Sequence, residues 1–438
     1  MISRRNFLNS TGKKLVASTI GLKSLFSFAQ GASLNTSTSA AFISVIQGDC
    51  FDGFSQFSVL TINRKNLRFF LFKNNQLIEE IPSHIQKHPS FNSRIDKLFV
   101  KGLQTETYYE LRIIENNAVI DSRFFKSLNS DKLQYRIALV SCMDAKLHKP
   151  QMWQSLLQQQ ADLILFIGDS VYADAETNGP ANGFHLWRSF ANSRFTLDIY
   201  KWRYLVPILS VWDDHDFGHD NSGNFYPYIK ESTINFKTFF AQDYQVSPNL
   251  THGPGISSAF KLGSLLIILL DGRSFRHHPG TQDLFGMFGL KQETWVYQVI
   301  KNHPGPILLV NGSQWFSDSG VGESFNHDYT ENFKQFITHL KSLNKKILFA
   351  SGDVHFSELI SIPKNILGYQ TYEITSSAMH SLTAPGIPQF FKTKNSFLST
   401  WRHNFNLLDF RTTSFGNQFS IACMGESNSA FYKYSFWL

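Results

Sequence analysis

Leu163-Ile164-Leu165-Phe166-Ile167-Gly168-Asp169-Ser170-Val171-Tyr172-Ala173-Asp174 is the stretch on which the reading of this chain turns. An apolar run of strand length without alternation describes a strand buried on both faces, as in a sheet covered by helices. Glycine then breaks the run, and Asp169, Tyr172 and Asp174 follow at once. The same arrangement recurs along the chain. Arg136-Ile137-Ala138-Leu139-Val140 ends in Ser141-Cys142-Met143-Asp144. The run from Ile208 to Trp212 ends in Asp213-Asp214-His215-Asp216, and Ile347-Leu348-Phe349-Ala350 ends in Ser351-Gly352-Asp353-Val354-His355-Phe356. Helical stretches are expected around 150–160 and 186–204, and further apolar runs at 265–270 and 307–310. Strands alternating with helices define an α/β domain. In open α/β sheets ligands bind outside the carboxyl ends of the strands, where these polar clusters fall.

Burying so many acids at one sheet edge is costly unless cations balance them. A pair of metal ions is the economical solution. Two metals about 3.5–4 Å apart lower the pKa of a bound water toward 7 and clamp the oxygens of a phosphoryl group during in-line displacement. Gly168-Asp169 alone is a weak signal, since an Asp after a strand often caps a helix. Asp353-Val354-His355 alone is no stronger. Four successive titratable groups at 213–216 have no routine structural purpose, and all the motifs in this order are more specific than any one. Arg273 and Arg276 could grip a substrate phosphate bidentately or form structural ion pairs.

The motifs together resemble the PhoD-like alkaline phosphatase branch of the calcineurin-like metallophosphoesterases. The matching segments are Val140-Ser141-Cys142, Gly168 to Asp174, Trp212 to Gly218, Leu270 to Arg276, Ser351 to Leu359 and Glu373 to Ser377. The resemblance covers nearly all of the chain after residue 40. It implies a β-sandwich core flanked by helices, preceded by a small all-β domain of fibronectin or immunoglobulin type. It implies Asp169 as a bridging carboxylate, Cys142, Tyr172 and His355 as ligands of a ferric ion, and Asp353 with Asp213 or Asp214 as ligands of a second metal, calcium. Asp214 is favoured over Asp213 as the direct ligand. His215 would stand beside the phosphate as a catalytic group, with Asn221 and Arg273 on the substrate side. Where the wider fold opens with Asp-x-His, this chain has Cys142-Met143-Asp144, which argues against the usual pair of Zn2+ or Mn2+ ions, retained as alternatives.

Upstream the rhythm differs. From 41 to 130 the pattern is short and alternating, as in Phe57-Ser58-Val59-Leu60-Thr61-Ile62 and Tyr108 to Ile114, with turns at Asn74-Asn75 and Asn116-Asn117. That spacing suggests a β-sandwich, without any cluster of His, Asp or Cys. The catalytic domain is expected over 131–438. Residues 1–40 read as a signal and linker, because Ser3-Arg4-Arg5-Asn6-Phe7-Leu8 is a twin-arginine pattern followed by a modest apolar stretch.

The formal net charge of +7 over 438 residues comes largely from Arg4, Arg5, Lys13, Lys14 and Lys23. No basic stripe with interleaved aromatics follows, which removes the nucleic-acid reading. Cys50, Cys142 and Cys423 are too few and too scattered for a disulfide framework. No apolar run after the signal is long enough to span a bilayer. The expectation is therefore a phosphomonoesterase or phosphodiesterase, monomeric and carried by the twin-arginine machinery to the periplasm or cell surface. The nearest alternatives are a phospholipase D-like enzyme acting on lipid head groups or polymeric diesters and, further off, a binding protein that keeps the fold without catalysis.

Overall fold

The computed structural model describes residues 43–177, 179–281, 283–319 and 323–438. The twin-arginine segment lies outside them. At the centre stand two large mixed sheets. The first, six-stranded, runs in the order Ile208–Val211, Leu163–Ile167, Gln134–Val140, Phe405–Thr413, Gly416–Met424 and Ala430–Trp437. Its first three strands are parallel, with Ile164 opposite both Ala138 and Ile208, and the last three are antiparallel. The second, eight-stranded, has Leu265–Leu269, Ile307–Val310, Ile347–Ser351 and Thr371–Thr375 as a parallel middle.

Side-chain parity explains why these runs are apolar throughout. Ile137, Leu139, Leu163, Leu165 and Ile167 of the first sheet share one core with Leu265, Ile267, Leu269, Leu308, Val310, Leu348 and Ala350 of the second. Their neighbours in sequence face outward under helices. Ala138, Val140, Ile164 and Phe166 pack with Trp153, Leu186, Phe190 and Phe236, from the helices Pro150–Gln158, Gly183–Thr196 and Ile229–Phe239. Leu266, Ile268 and Leu309 pack with Val296, Phe336 and Leu340, from Gly289–Lys301 and Thr330–Ser342. The result is helix, sheet, sheet, helix. Each fully buried Leu, Ile or Phe contributes roughly 1.5–3 kcal/mol of transfer free energy.

The parallel strands belong to two sheets packed face to face, the sandwich core flanked by helices that the resemblance implies. One feature departs from the sequence reading. The helix expected over 186–204 is Gly183–Thr196, capped by the Asn182 side chain accepting from the amides of Phe184 and His185, with a separate 3-10 turn at Asp198–Lys201. The chain turns extended at Leu197 (ψ 134°), whose side chain is buried in the core.

The segment before residue 130 forms two four-stranded antiparallel sheets sharing one apolar core of Val45, Phe57, Val59, Phe69, Leu111, Ile113 and Phe125. The Asn74-Asn75 and Asn116-Asn117 turns both take left-handed backbone, the conformation tight hairpins need.

Candidate metal centre

Both large sheets deliver the carboxyl ends of their parallel strands to one edge of the sandwich. Gln134–Val140 leads to Cys142, Leu163–Ile167 to Asp169, and Ile208–Val211 to Asp213 and Asp214. From the other sheet, Ile347–Ser351 leads to Asp353 and His355. Cys142 (φ 55°), Asp169 (53°), Asp353 (68°) and His355 (58°) all adopt left-handed backbone. That conformation costs a non-glycine residue roughly 1–2 kcal/mol, and residues held in it collect at functional sites. Glycine makes the close approach of the strand ends feasible. A Cβ on Gly168 would lie 2.7 Å from Asp213 Cβ, and one on Gly352 would lie 2.5 Å from the carbonyl oxygen of Ile167.

Among the described residues, three groups place their ligand atoms within 4.8 Å of one another: Cys142, Asp169 and His355; Asp169, Asp214 and His215; Asp213, Asp214 and Asp353. Asp169 belongs to two groups and Asp214 to two, so the three form one continuous chain of donors. Tyr172 joins the first group, its hydroxyl 3.2 Å from His355 Nε2. The sulfur of Cys142 lies 3.6 Å from Asp169 Oδ2.

This donor set fits cations. Asp169 is 1% exposed, and its Oδ1 is buried without a hydrogen-bond partner. Burial, followed by the neighbouring Cys142, Asp214, Asp213 and Asp216, pushes its carboxyl well above the usual range. Burial likewise drives the Cys142 thiol up to about 12 and the Tyr172 phenol far up. Anionic forms of these groups become stable only beside positive charge. Carboxylate, imidazole, phenolate and thiolate together are a ligand set for transition metals, and the all-carboxylate group of Asp213, Asp214 and Asp353 suits a hard cation.

Adjacent Asp213 and Asp214 are distinguished by their partners. Asp213 Oδ1 accepts from Arg273 Nε at 2.6 Å and from Ser313 Oγ at 3.2 Å. Burial raises its carboxyl to about 6 even with Arg273 pulling it back. Asp214 accepts backbone amides from His215 at 2.9 Å and Asn221 at 2.8 Å, while Arg273 stands 3.9 Å away. Burial would raise Asp214, but His215, Arg273 and the Asn221 amide outweigh it and hold it below the ordinary carboxylate range. His215 is oriented by Asp174, whose Oδ1 lies 2.8 Å from His215 Nδ1, and its ring stacks on Tyr172 at 4.4 Å. Burial pulls His215 down, yet Asp214 and Asp174 raise it to about 10.

The structure thus brings Cys142, Asp169, Tyr172, Asp213, Asp214, His215, Asp353 and His355 together. Asn221 arrives through its main-chain amide on Asp214, in left-handed backbone (φ 57°). Arg273 differs from expectation. It is fully buried and its guanidinium is occupied by Asp213, the Ser222 carbonyl, Ser313 and Glu323, so it braces the Asp213 loop rather than facing substrate. Two functional positions went unassigned in the sequence although their motifs were quoted. Asp174 fixes His215. Asp216 accepts from Ser170 Oγ at 2.6 Å, Val171 N at 2.9 Å and Asp213 N at 3.1 Å, tying the Asp169 loop to the Asp213–Asp216 turn. An acidic residue three positions beyond Asp213 is the signal of a capping box, which could have identified Asp216.

The fold is a two-sheet α/β sandwich with a polyacidic centre at its strand ends. No protein-family model and no curated protein matches the sequence. Among solved structures, the chain is similar to that of PhoD, with a TM-score of 0.70 and 14% identity over 92% of this chain and 90% of that one. The fold is therefore that of PhoD. A predicted phosphoesterase from Streptococcus pneumoniae TIGR4 aligns at a TM-score of 0.27 and 9% identity, over 70% of this chain and 99% of that one, too loosely to add to the argument.

Proposed function

We propose that the chain is a metal-dependent phosphoesterase. The observation that carries this reading is the sharing of Asp169 and Asp214 among three donor groups, which provides for cations side by side. Bound there, two cations would polarise the phosphoryl oxygens and supply a water of low pKa. The chain's own residues do the rest. Asp169 would be shared by the two cations, with Cys142, Tyr172 and His355 holding one of them. Asp214 and Asp353 would hold the other, with Asp213, bonded to Arg273, as their support. His215, its Nδ1 committed to Asp174, presents Nε2 as the proton donor to the leaving oxygen. A cavity of about 190 Å³ lined by Asp144, Lys146, Tyr172, Glu176, Ser189 and Asn192 lies beside Tyr172.

For the metals, thiolate with phenolate favours Fe3+ in the first position, and the carboxylate-rich second position favours Ca2+. The twin-arginine pattern supports export after folding, with iron inserted beforehand. Elemental analysis and a visible spectrum of protein purified without added metal, beside assays on a chromogenic monoester and diester, test the whole reading. The expected result is a coloured, iron-containing protein that hydrolyses at least one ester and loses activity to a chelator. Metal-free protein with full activity would overturn it.

A further inference from the structure

Ser377 follows the Thr371–Thr375 strand and is fully buried. Its Oγ lies 3.0 Å from the sulfur of Cys142 and 2.8 Å from the backbone nitrogen of His355. The His355 N–H can only donate, so the Ser377 oxygen accepts there, and its single hydroxyl proton is free to turn to the sulfur, which as a thiolate can only accept. A second hydroxyl, Ser141 Oγ, stands 3.3 Å from the same sulfur, but its proton goes to the Ser376 carbonyl at 2.6 Å. Of the two hydroxyls, Ser377 supplies the hydrogen bond to sulfur.

The residue is also held firmly. Its amide donates to Ser357 Oγ at 3.0 Å, and its carbonyl accepts from Asn404 Nδ2 at 2.9 Å. Asn404 is itself anchored on the Arg402 carbonyl at 2.8 Å. Cys142 follows a strand of the six-stranded sheet and His355 a strand of the eight-stranded one. A single hydroxyl therefore couples a donor from each sheet. We propose that Ser377 is a positioning residue for the first metal position, setting the electron density on the Cys142 sulfur and the placement of His355. The inference rests on Cys142 and His355 being metal donors. A hydrogen bond to a metal-bound thiolate withdraws charge from sulfur, and partners behind the ligands hold them in place.

The experiment titrates Co2+ alone into metal-stripped, full-length protein and follows the thiolate-to-cobalt charge-transfer band, with Cys142→Ser as the control that removes it. In Ser377→Ala the band should move to longer wavelength, because the sulfur is richer in charge, and Co2+ affinity should fall about 10-fold or more. Ser377→Thr, which keeps the hydroxyl, should restore both. If Ser377→Ala does not fold, Ser377→Gly serves, since it also lacks the hydroxyl and should shift the band the same way. A band and affinity unchanged in the alanine or glycine variant would overturn the role of Ser377 alone. No thiolate band in the parent protein would overturn the assignment of Cys142, and this inference with it.

Discussion

Two regions of this molecule bury charge, and they treat it in opposite ways. Where the amino-terminal sheets meet the large sandwich, Arg194 and Lys97 are buried cations held by neutral oxygens. Arg194 is 2% exposed, and its five N–H groups find Ser44 Oγ, Ser58 Oγ and the carbonyls of Phe239, Ser44 and Ser58, all within 2.7–3.2 Å. Lys97 places its ammonium on the carbonyls of Lys237, Thr238 and Phe240. Every donor is matched. At the strand ends the buried charges are acids crowded against one another, and Asp169 Oδ1 has no partner. Buried groups kept for stability are hydrogen-bonded to completion. Strained backbone and shifted titratable groups together are features that collect at functional sites.

If that contrast is right, removing charge should have opposite consequences in the two regions. The largest effect belongs to Asp169→Asn, which keeps the shape and removes the shared carboxylate. Metal binding and ester hydrolysis should fall to background, as read by elemental analysis and steady-state assays. His215→Ala should keep its metal and lose roughly 10²–10⁴-fold in kcat. A fully active variant would take His215 out of the chemistry.

The next test moves to the other region. Arg194→Met should destabilise the fold by roughly 3 kcal/mol or more, because it strands several buried oxygens, without changing the metal content. Denaturant unfolding with metal analysis reads both, and loss of metal at unchanged stability would break the comparison. Removing the metals with a chelator should lower stability by about 3 kcal/mol for each ion held at 100 times its Kd. The smallest expected effect is the most discriminating. In metal-free protein Asp169→Asn should be more stable than the parent by about 1 kcal/mol, since an uncompensated buried acid has been removed. A destabilised metal-free variant would mean that Asp169 is structural.

Much of this centre was legible in the chain. The apolar runs at 136–140, 163–167, 208–211 and 347–350 are strands, and the acids, cysteine, tyrosine and histidines after them do gather. Strand ends are local events: a run of buried side chains stops where polar residues begin, and glycine marks the break. What the run of residues did not reveal were relationships across long separations. Arg273 read as a phosphate grip because its bond to Asp213, 60 residues away, has no local signature. Ser377 stood in a quoted motif without a role for the same reason, its contact with Cys142 spanning 235 positions.

Sequence by itself determined the alternation of buried strands and helices, the polar residues at the strand ends and the chemical kinds of donor available. Periodicity and residue type are properties of the chain alone. Tertiary structure decided how the parallel strands divide between two sheets, that both sheets meet at one edge, and that Asp213 takes the hydrogen bond of Arg273 while Asp214 takes backbone amides. It also decided which hydroxyl proton reaches the sulfur. These outcomes depend on how sheets stack and how side chains from distant segments share the space between them. Packing fixes that only once the whole core has formed.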